Sequence, residues 1–228
     1  IIYEFDELTD QVFTETINAI KDFSYARYKP LTYLKDAGEY SQMLTAQQNM
    51  GGFMKGILVK RLESSFYAFK LTLDRFVESY SKFIDMLRNG EVYISKKVDI
   101  YDLLDSGDDE KLLHYIETED VMHFESNGFR SGFIIDLERD LQKLCYLQGL
   151  WKSVKVDPKL EKFIHELKNN KILARSKKIV FTESRETAGY LEKMLNSLYG
   201  ERIVSYSGSS SASLKKEIED SFNPKFID

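Results

Sequence analysis

The sequence predicts an α/β chain in two parts: a mostly helical bundle of long antiparallel or near-antiparallel helices over residues 1–155, then a parallel α/β unit over residues 156–228. Three observations carry that expectation. A single apolar stripe recurs at helical spacing from Leu58 to Leu87. A second amphipathic segment of similar character starts near residue 131. Past residue 156 the pattern becomes helix, strand, helix, strand, helix, the alternation of a parallel sheet.

The first helix is predicted from "DELTDQVFTETINAIKDF", where Leu8, Val12, Phe13, Ile17, Ile20 and Phe23 share helical spacing and Pro30 closes the segment. The stripe that follows runs through Leu58, Leu62, Phe66, Phe69, Leu73, Phe76, Tyr80, Phe83 and Leu87 at steps of three and four. It reads as one helix of roughly 35 residues, stopped by Asn89 and the left-handed preference of Gly90. Such a stripe needs a covering helix. "SGFIIDLERDLQKLCYLQGLWKSV" supplies it, with Phe133, Leu137, Leu141, Leu144 and Trp151 on one face and Ser131 as the expected cap. The intervening 40 or so residues are expected to hold only short elements.

A boundary is expected around Lys152 to Val156, without the Pro or Gly cluster of a flexible linker. "VDPKLEKFIHELKNNKI" opens with Asp157 as cap and Pro158 at the first helical position, and keeps Leu160, Phe163, Ile164 and Leu167 on one side. The strand "KIVFT" follows, then a helix from about Glu186 to Leu198, the strand "RIVSYS", the turn "GSSSAS" and the helix "LKKEIEDSF". No internal repeat is visible.

Composition excludes several classes. No run of 18 apolar residues exists and the opening "IIYEFDELTD" is acidic, so neither a membrane span nor a signal peptide is expected. The only cysteine, Cys145, leaves no intramolecular disulfide and no thiolate zinc site, which fits a cytoplasmic protein. His114, His123 and His165 lack the spacing of a metal site and read as surface or packing residues. The net charge of −5 is uneven. Residues 1–155 carry 19 Lys and Arg against 26 Asp and Glu, whereas residues 156–228 carry 13 against 11. A phosphate backbone is therefore better tolerated by the second part. Ten acids and the lone base Lys111 between Asp99 and Glu125 read as a solvated acidic stretch.

Both predicted strands of the second part end in polar clusters, Thr182, Glu183, Ser184 and Arg185 after the first and Ser207, Gly208, Ser209 and Ser210 after the second. Ligands of open α/β sheets gather at carboxyl strand ends, and hydroxyls, amides at a helix start and an arginine are suited to hold phosphate. The same residue types also make helix caps. Ser184 with Thr187, or Thr182 with Arg185 and Glu186, would serve. Both readings stay open on sequence.

"KKIVFTESRETAGYLEKML" followed by "RIVSYSGSSSASLKKEIEDSFNP" resembles the start of the second RecA-like domain of superfamily 2 helicases and Swi/Snf-type DNA translocases. "VKVDPKLEKFIHELK" is similar to the helix that often precedes that domain, and "ILVKRLESSFYAFKLTLDRF" to a Lys-Arg-Leu-Glu-Ser-Ser helix between the motor lobes in a bacterial branch. The resemblance implies a partial RecA-like domain over residues 156–228 and an inter-lobe helical region over residues 1–155. It makes Thr182, Glu183, Ser184, Arg185, Ser207, Gly208 and Ser209 candidates for contact with one nucleic-acid strand, expected to be DNA. Lys215 and Lys216 stand near a basic position of many relatives. Lys60 and Arg61 face either nucleic acid or the first lobe, or else solvent and an ion pair with Glu63 or Asp74.

The catalytic parts of such a motor are missing from this sequence. "GSSSASLKK" lacks the Gly-Lys-Ser/Thr ending of a phosphate-cradling loop, "GDDEKLL" follows no apolar strand, and no Gln/Gly/Arg-rich segment supplies an arginine finger before "FNPKFID". The expectation is a piece of a motor with no catalytic residue and no cofactor or metal of its own, ATP and magnesium belonging to the parent protein. Its partners would be nucleic acid, the first lobe and the remainder of the second. The competing expectation is a helical protein-interaction module with a degenerate α/β tail. A small phosphate-binding enzyme is the weakest reading, because no nucleophile and base can be paired.

Overall fold

A computed structural model describes residues 2–95, 121–173, 177–200, 203–208 and 210–223. The chain divides into two compact units. One comprises Phe5–Glu63 and Phe69–Lys155; the other comprises Ile1–Glu4, Ser64–Ala68 and Val156–Asp228.

The first unit is helical. Helix α1 (Glu7–Asp22) starts on Asp6, whose carboxylate accepts the Thr9 amide at 2.7 Å; hydrogen bonding from the Thr9 side chain, and then from its amide, holds the Asp6 carboxyl below its ordinary range. Its buried face is Thr9, Val12, Thr16 and Ile20, so Leu8 of the predicted stripe is turned out, at 48% exposure. Thr16 is tolerated inside because its hydroxyl donates to the Val12 carbonyl at 2.7 Å and accepts from the Trp151 indole at 2.8 Å.

All nine stripe residues from Leu58 to Leu87 are buried. They do not lie on one helix. Helix α2 (Ser41–Ser64) ends and helix α3 (Phe66–Arg88) begins on either side of Ser65. Asn89 and Gly90 close α3 as expected, with Gly90 at φ +95°, a conformation that only glycine adopts without strain.

Helix α4 (Gly132–Ser153) covers α3. Contacts pair Phe69 with Trp151, Asp74 with Gln148, Tyr80 with Asp140 and Phe83 with Phe133, so numbering rises along one helix as it falls along the other and the two run antiparallel. The buried face of α4 is Phe133, Leu137, Asp140, Leu144, Leu147 and Trp151; Leu141 is only half-buried, displaced by Asp140. Ser131 sits at the cap position with helical dihedrals, φ −58° and ψ −27°, and its side chain makes no cap bond. That corrects the expected cap, since a capping hydroxyl needs extended backbone to reach back.

Between α3 and α4 stands an antiparallel pair, β1 (Glu91–Ser95) and β2 (Val121–Glu125), with Val92 opposite Phe124 and Ile94 opposite Met122. Val92, Ile94 and Met122 are buried, while Tyr93 and His123 face out, His123 touching the Glu91 carboxylate. His114 and the acidic stretch from Asp99 to Asp120 lie outside the described residues.

The second unit holds α5 (Pro158–Asn169), α6 (Arg185–Tyr199) and α7 (Ala212–Phe222). The expected strands at 178–182 and 203–207 are not strands: among the described residues the only sheet is β1 with β2. The physical reason is visible in the bonding and exposure. Asn196 of α6 clamps the Ile203 backbone, its amide nitrogen donating to the carbonyl at 2.9 Å and its oxygen accepting from the N–H at 2.9 Å, and Ser205 donates to Glu192 at 2.5 Å. Helix side chains thus take backbone and side-chain groups that a ladder would order. Ile179, Val180 and Phe181 are exposed at 62%, 51% and 90%, so neither face of that segment has the apolar cover that a parallel strand needs.

Candidate nucleic-acid interface

Helix α6 begins where the sequence places its polar cluster. Ser184 is the cap, in extended backbone, with its Oγ accepting the Thr187 amide at 3.2 Å and donating to the Glu186 carboxylate at 3.0 Å. This is a hydroxyl with its donor and an acceptor both committed, in a residue 2% exposed. Thr182 Oγ1 accepts the Ser184 amide at 3.2 Å, tightening the turn ahead of the cap. Of the two capping alternatives the structure adopts the one centred on Ser184.

The side chains left outward are Thr182, Glu183 and Arg185, all exposed. Arg185 is the first residue of α6. The second cluster forms a turn in which the Ser210 hydroxyl accepts the Ser207 amide at 2.9 Å and the Ser210 amide donates to the Ser207 carbonyl at 2.9 Å. Gly208 is exposed, and Ser209 lies outside the described residues. Ser211 caps α7 by accepting the Leu214 amide at 3.2 Å. Lys215 and Lys216 are exposed on that helix, with Lys215 3.8 Å from Glu219.

Thr187, read on sequence only as part of the cap, ties the α6 end to Ser64 and Ser65. Thr187 Oγ1 lies 2.8 Å from both Ser64 Oγ and Ser65 Oγ, so three hydroxyls share one buried cluster. Ser65 Oγ also accepts the Ala68 amide at 3.1 Å, which caps α3. Tyr67 stacks on Tyr190 one turn further along α6, centroids 4.7 Å apart and planes 6° from parallel. Tyr190's hydroxyl is pushed up to about 12 by burial, with the charges of Asp157 and Tyr67 adding to the rise.

The start of α5 joins the same cluster. Lys159 Nζ donates to the Ser64 carbonyl at 3.1 Å, a cation on the last carbonyl of α2. Asp157 accepts the Leu160 amide at 3.1 Å and also bonds the amides of Lys159 and Phe66, so it serves the first turns of both α5 and α3. Burial raises the Asp157 carboxyl despite these bonds. The sequence signal for this junction was the pair Ser64-Ser65 inside an otherwise regular stripe, which reads alone as the polar side of a helix. Lys60 is exposed and Arg61 is buried at 7%, while Asp74, a suggested ion-pair partner, accepts from Gln148 at 2.7 Å.

Chemically, the α6 start presents exposed Arg185, a side chain suited to a phosphate, beside exposed Thr182. Among the described residues no group of three or more His, Cys, Asp or Glu could hold a metal ion, and no helix is long and apolar enough to cross a membrane. No protein-family model matches the chain, and neither curated proteins nor solved structures yield a match.

Proposed function

We propose that the chain is part of an ATP-dependent DNA motor of the superfamily 2 helicase and Swi/Snf-type translocase class. In this reading residues 1–155 are the inter-lobe helical region and residues 156–228 a partial RecA-like domain. ATP and magnesium act on the parent protein in the cytoplasm, and this part contributes backbone contacts and lobe coupling rather than catalysis. The observation that carries the reading is spatial. Two stretches that carry the resemblance are remote in sequence, yet the Ser64-Ser65 end of "KRLESS" and Thr187 of "TESRET" meet through their hydroxyls within one compact unit. The exposed apolar run Ile179, Val180 and Phe181 adds support, since a parallel strand carries apolar residues on both sides for layers to cover.

The contacts expected are to phosphate, without base readout. Arg185→Ala should therefore weaken binding of a fluorescent oligothymidylate, reduce the slope of log affinity against log salt by about one contact's share, and leave the melting temperature where it was. Ser184→Ala should do the reverse, lowering stability by about 1 kcal/mol through the lost cap with little change in salt slope. Titration at two salt concentrations with parallel thermal melts separates these outcomes. Absence of salt-dependent binding by the wild-type chain would overturn the nucleic-acid reading. A second reading, a helical protein-interaction module, is favoured by one observation, the burial of Ser184 with its hydroxyl bonded to Thr187 and Glu186 of its own helix. Under it Arg185→Ala leaves every oligonucleotide titration unchanged.

A further inference from the structure

The sequence writes one helix through Ser65 and the structure breaks it there. A broken helix leaves the last carbonyls of the first half and the first amides of the second half without intrahelical partners. Residues far along the chain meet several of these needs. The Ser64 carbonyl is taken by Lys159 and the Phe66 amide by Asp157; the Ala68 amide is taken by Ser65 Oγ, itself 2.8 Å from Thr187 Oγ1. The compact unit reflects the same fact: Ser64–Ala68 belongs with Val156–Asp228, whereas the helical residues on either side, up to Glu63 and from Phe69, do not.

The geometry points to a latch. We propose that the break between α2 and α3 is a conditional joint, held open by Thr187, Asp157 and Lys159, with the Thr187 hydroxyl as the positioning group that couples the amino end of α6 to the joint. Thr187 suits that role because its amide is fixed by Ser184 while its hydroxyl reaches both serines. Any displacement of the α6 start therefore changes the bonding of Ser64 and Ser65 directly. The joint's dependence on Thr187 is independent of whether Arg185 and its neighbours bind nucleic acid.

Hydrogen–deuterium exchange on the whole chain tests this. Thr187→Val keeps the shape and removes the hydroxyl. It should speed exchange of amides in 65–69 about tenfold while a peptide from the α4 core, 141–151, exchanges as in the wild type. Thr187→Ser, which restores a hydroxyl, should return 65–69 towards wild-type rates. Unchanged exchange at 65–69 in Thr187→Val overturns the latch, because packing of α2 and α3 alone would then set the break. Equal acceleration at 65–69 and 141–151 overturns it too, by showing general destabilisation rather than a local joint.

Discussion

Replacing Phe133 with alanine should lower the stability of the helical unit by about 3–5 kcal/mol, the largest loss expected from any single truncation considered for this chain. Phe133 is fully buried at the start of α4, and its ring meets three others. It stacks on Tyr33 at 4.7 Å, lies 5.0 Å from Phe129 and meets Phe83 edge-on at 5.8 Å. Phe129 in turn contacts Phe124 of β2 at 5.8 Å. One ring on α4 therefore meets α3 at Phe83 and the segments that carry Tyr33 and Phe129. Removing it leaves a cavity that Tyr33, Phe83 and Phe129 would have to shift to fill. Phe133→Leu, which keeps most of the volume, should lose markedly less. Urea unfolding followed by Trp151 fluorescence reads this cleanly. Trp151 is the chain's only tryptophan and sits buried against Phe69 in the same unit. Equal midpoints for the alanine variant and wild type would mean that this aromatic cluster does not hold the unit together.

Such a core was largely legible in the sequence because helical burial follows a local rule. Steps of three and four put Leu58 to Leu87 on one face whatever else surrounds it, and all nine are buried. What was not legible depends on partners remote in sequence. The break at Ser65 is satisfied by Asp157 and Lys159 and bonded to Thr187, and no periodicity in residues 58–87 announces them. "KIVFT" is apolar and β-branched enough to be a strand, yet strand formation needs a ladder partner and cover, and the described residues supply neither. The small sheet fits the short elements expected between the two long helices, its strands being five residues each, but the sequence does not specify their pairing. The polar cluster does stand at the start of α6, but the strand that it was expected to follow is not formed. Which of its side chains are buried and which are exposed is set by the local turn. Ser184 went inward and Arg185 outward.

The second unit contrasts with the first in what it buries. Among its described residues the buried apolar side chains are Phe66, Ala68, Leu160 and Leu195, whereas Ile172, Ile179, Val180, Phe181, Leu198, Val204, Tyr206 and Phe222 are exposed. Burial drives folding roughly in proportion to apolar area removed from water, so this unit leans more on its caps and hydroxyl bonds. That is why single polar changes, Ser184→Ala or Thr187→Val, are expected to register there, and why the largest packing losses are expected in the helical unit.

Within that helical unit Asp140 is a fully buried carboxyl among mostly apolar side chains, and Asp140→Ala should remove about 3 kcal/mol. Asp140 is fully buried on the α4 face and accepts three hydrogen bonds, from the Ser24 amide at 2.8 Å, the Ala26 amide at 3.1 Å and the Tyr80 hydroxyl at 3.1 Å. Alanine would strand all three donors, two of them at the bend after α1, where Tyr25 adopts the left-handed φ of 53°. The carboxyl's burial raises its pKa above the ordinary 3.8, against the pull of those bonds and of Lys143. The sign of the pH dependence follows from that direction. A proton is held more tightly in the folded than in the unfolded state, so the group's contribution is full below the unfolded pKa and is lost as pH rises through the folded one. The stability difference between wild type and Asp140→Ala should therefore shrink as pH is raised from about 4. A difference that instead widened over that range would show that the three donors favour the carboxylate more than burial disfavours it, and Asp140 would be an anchor that acid loosens.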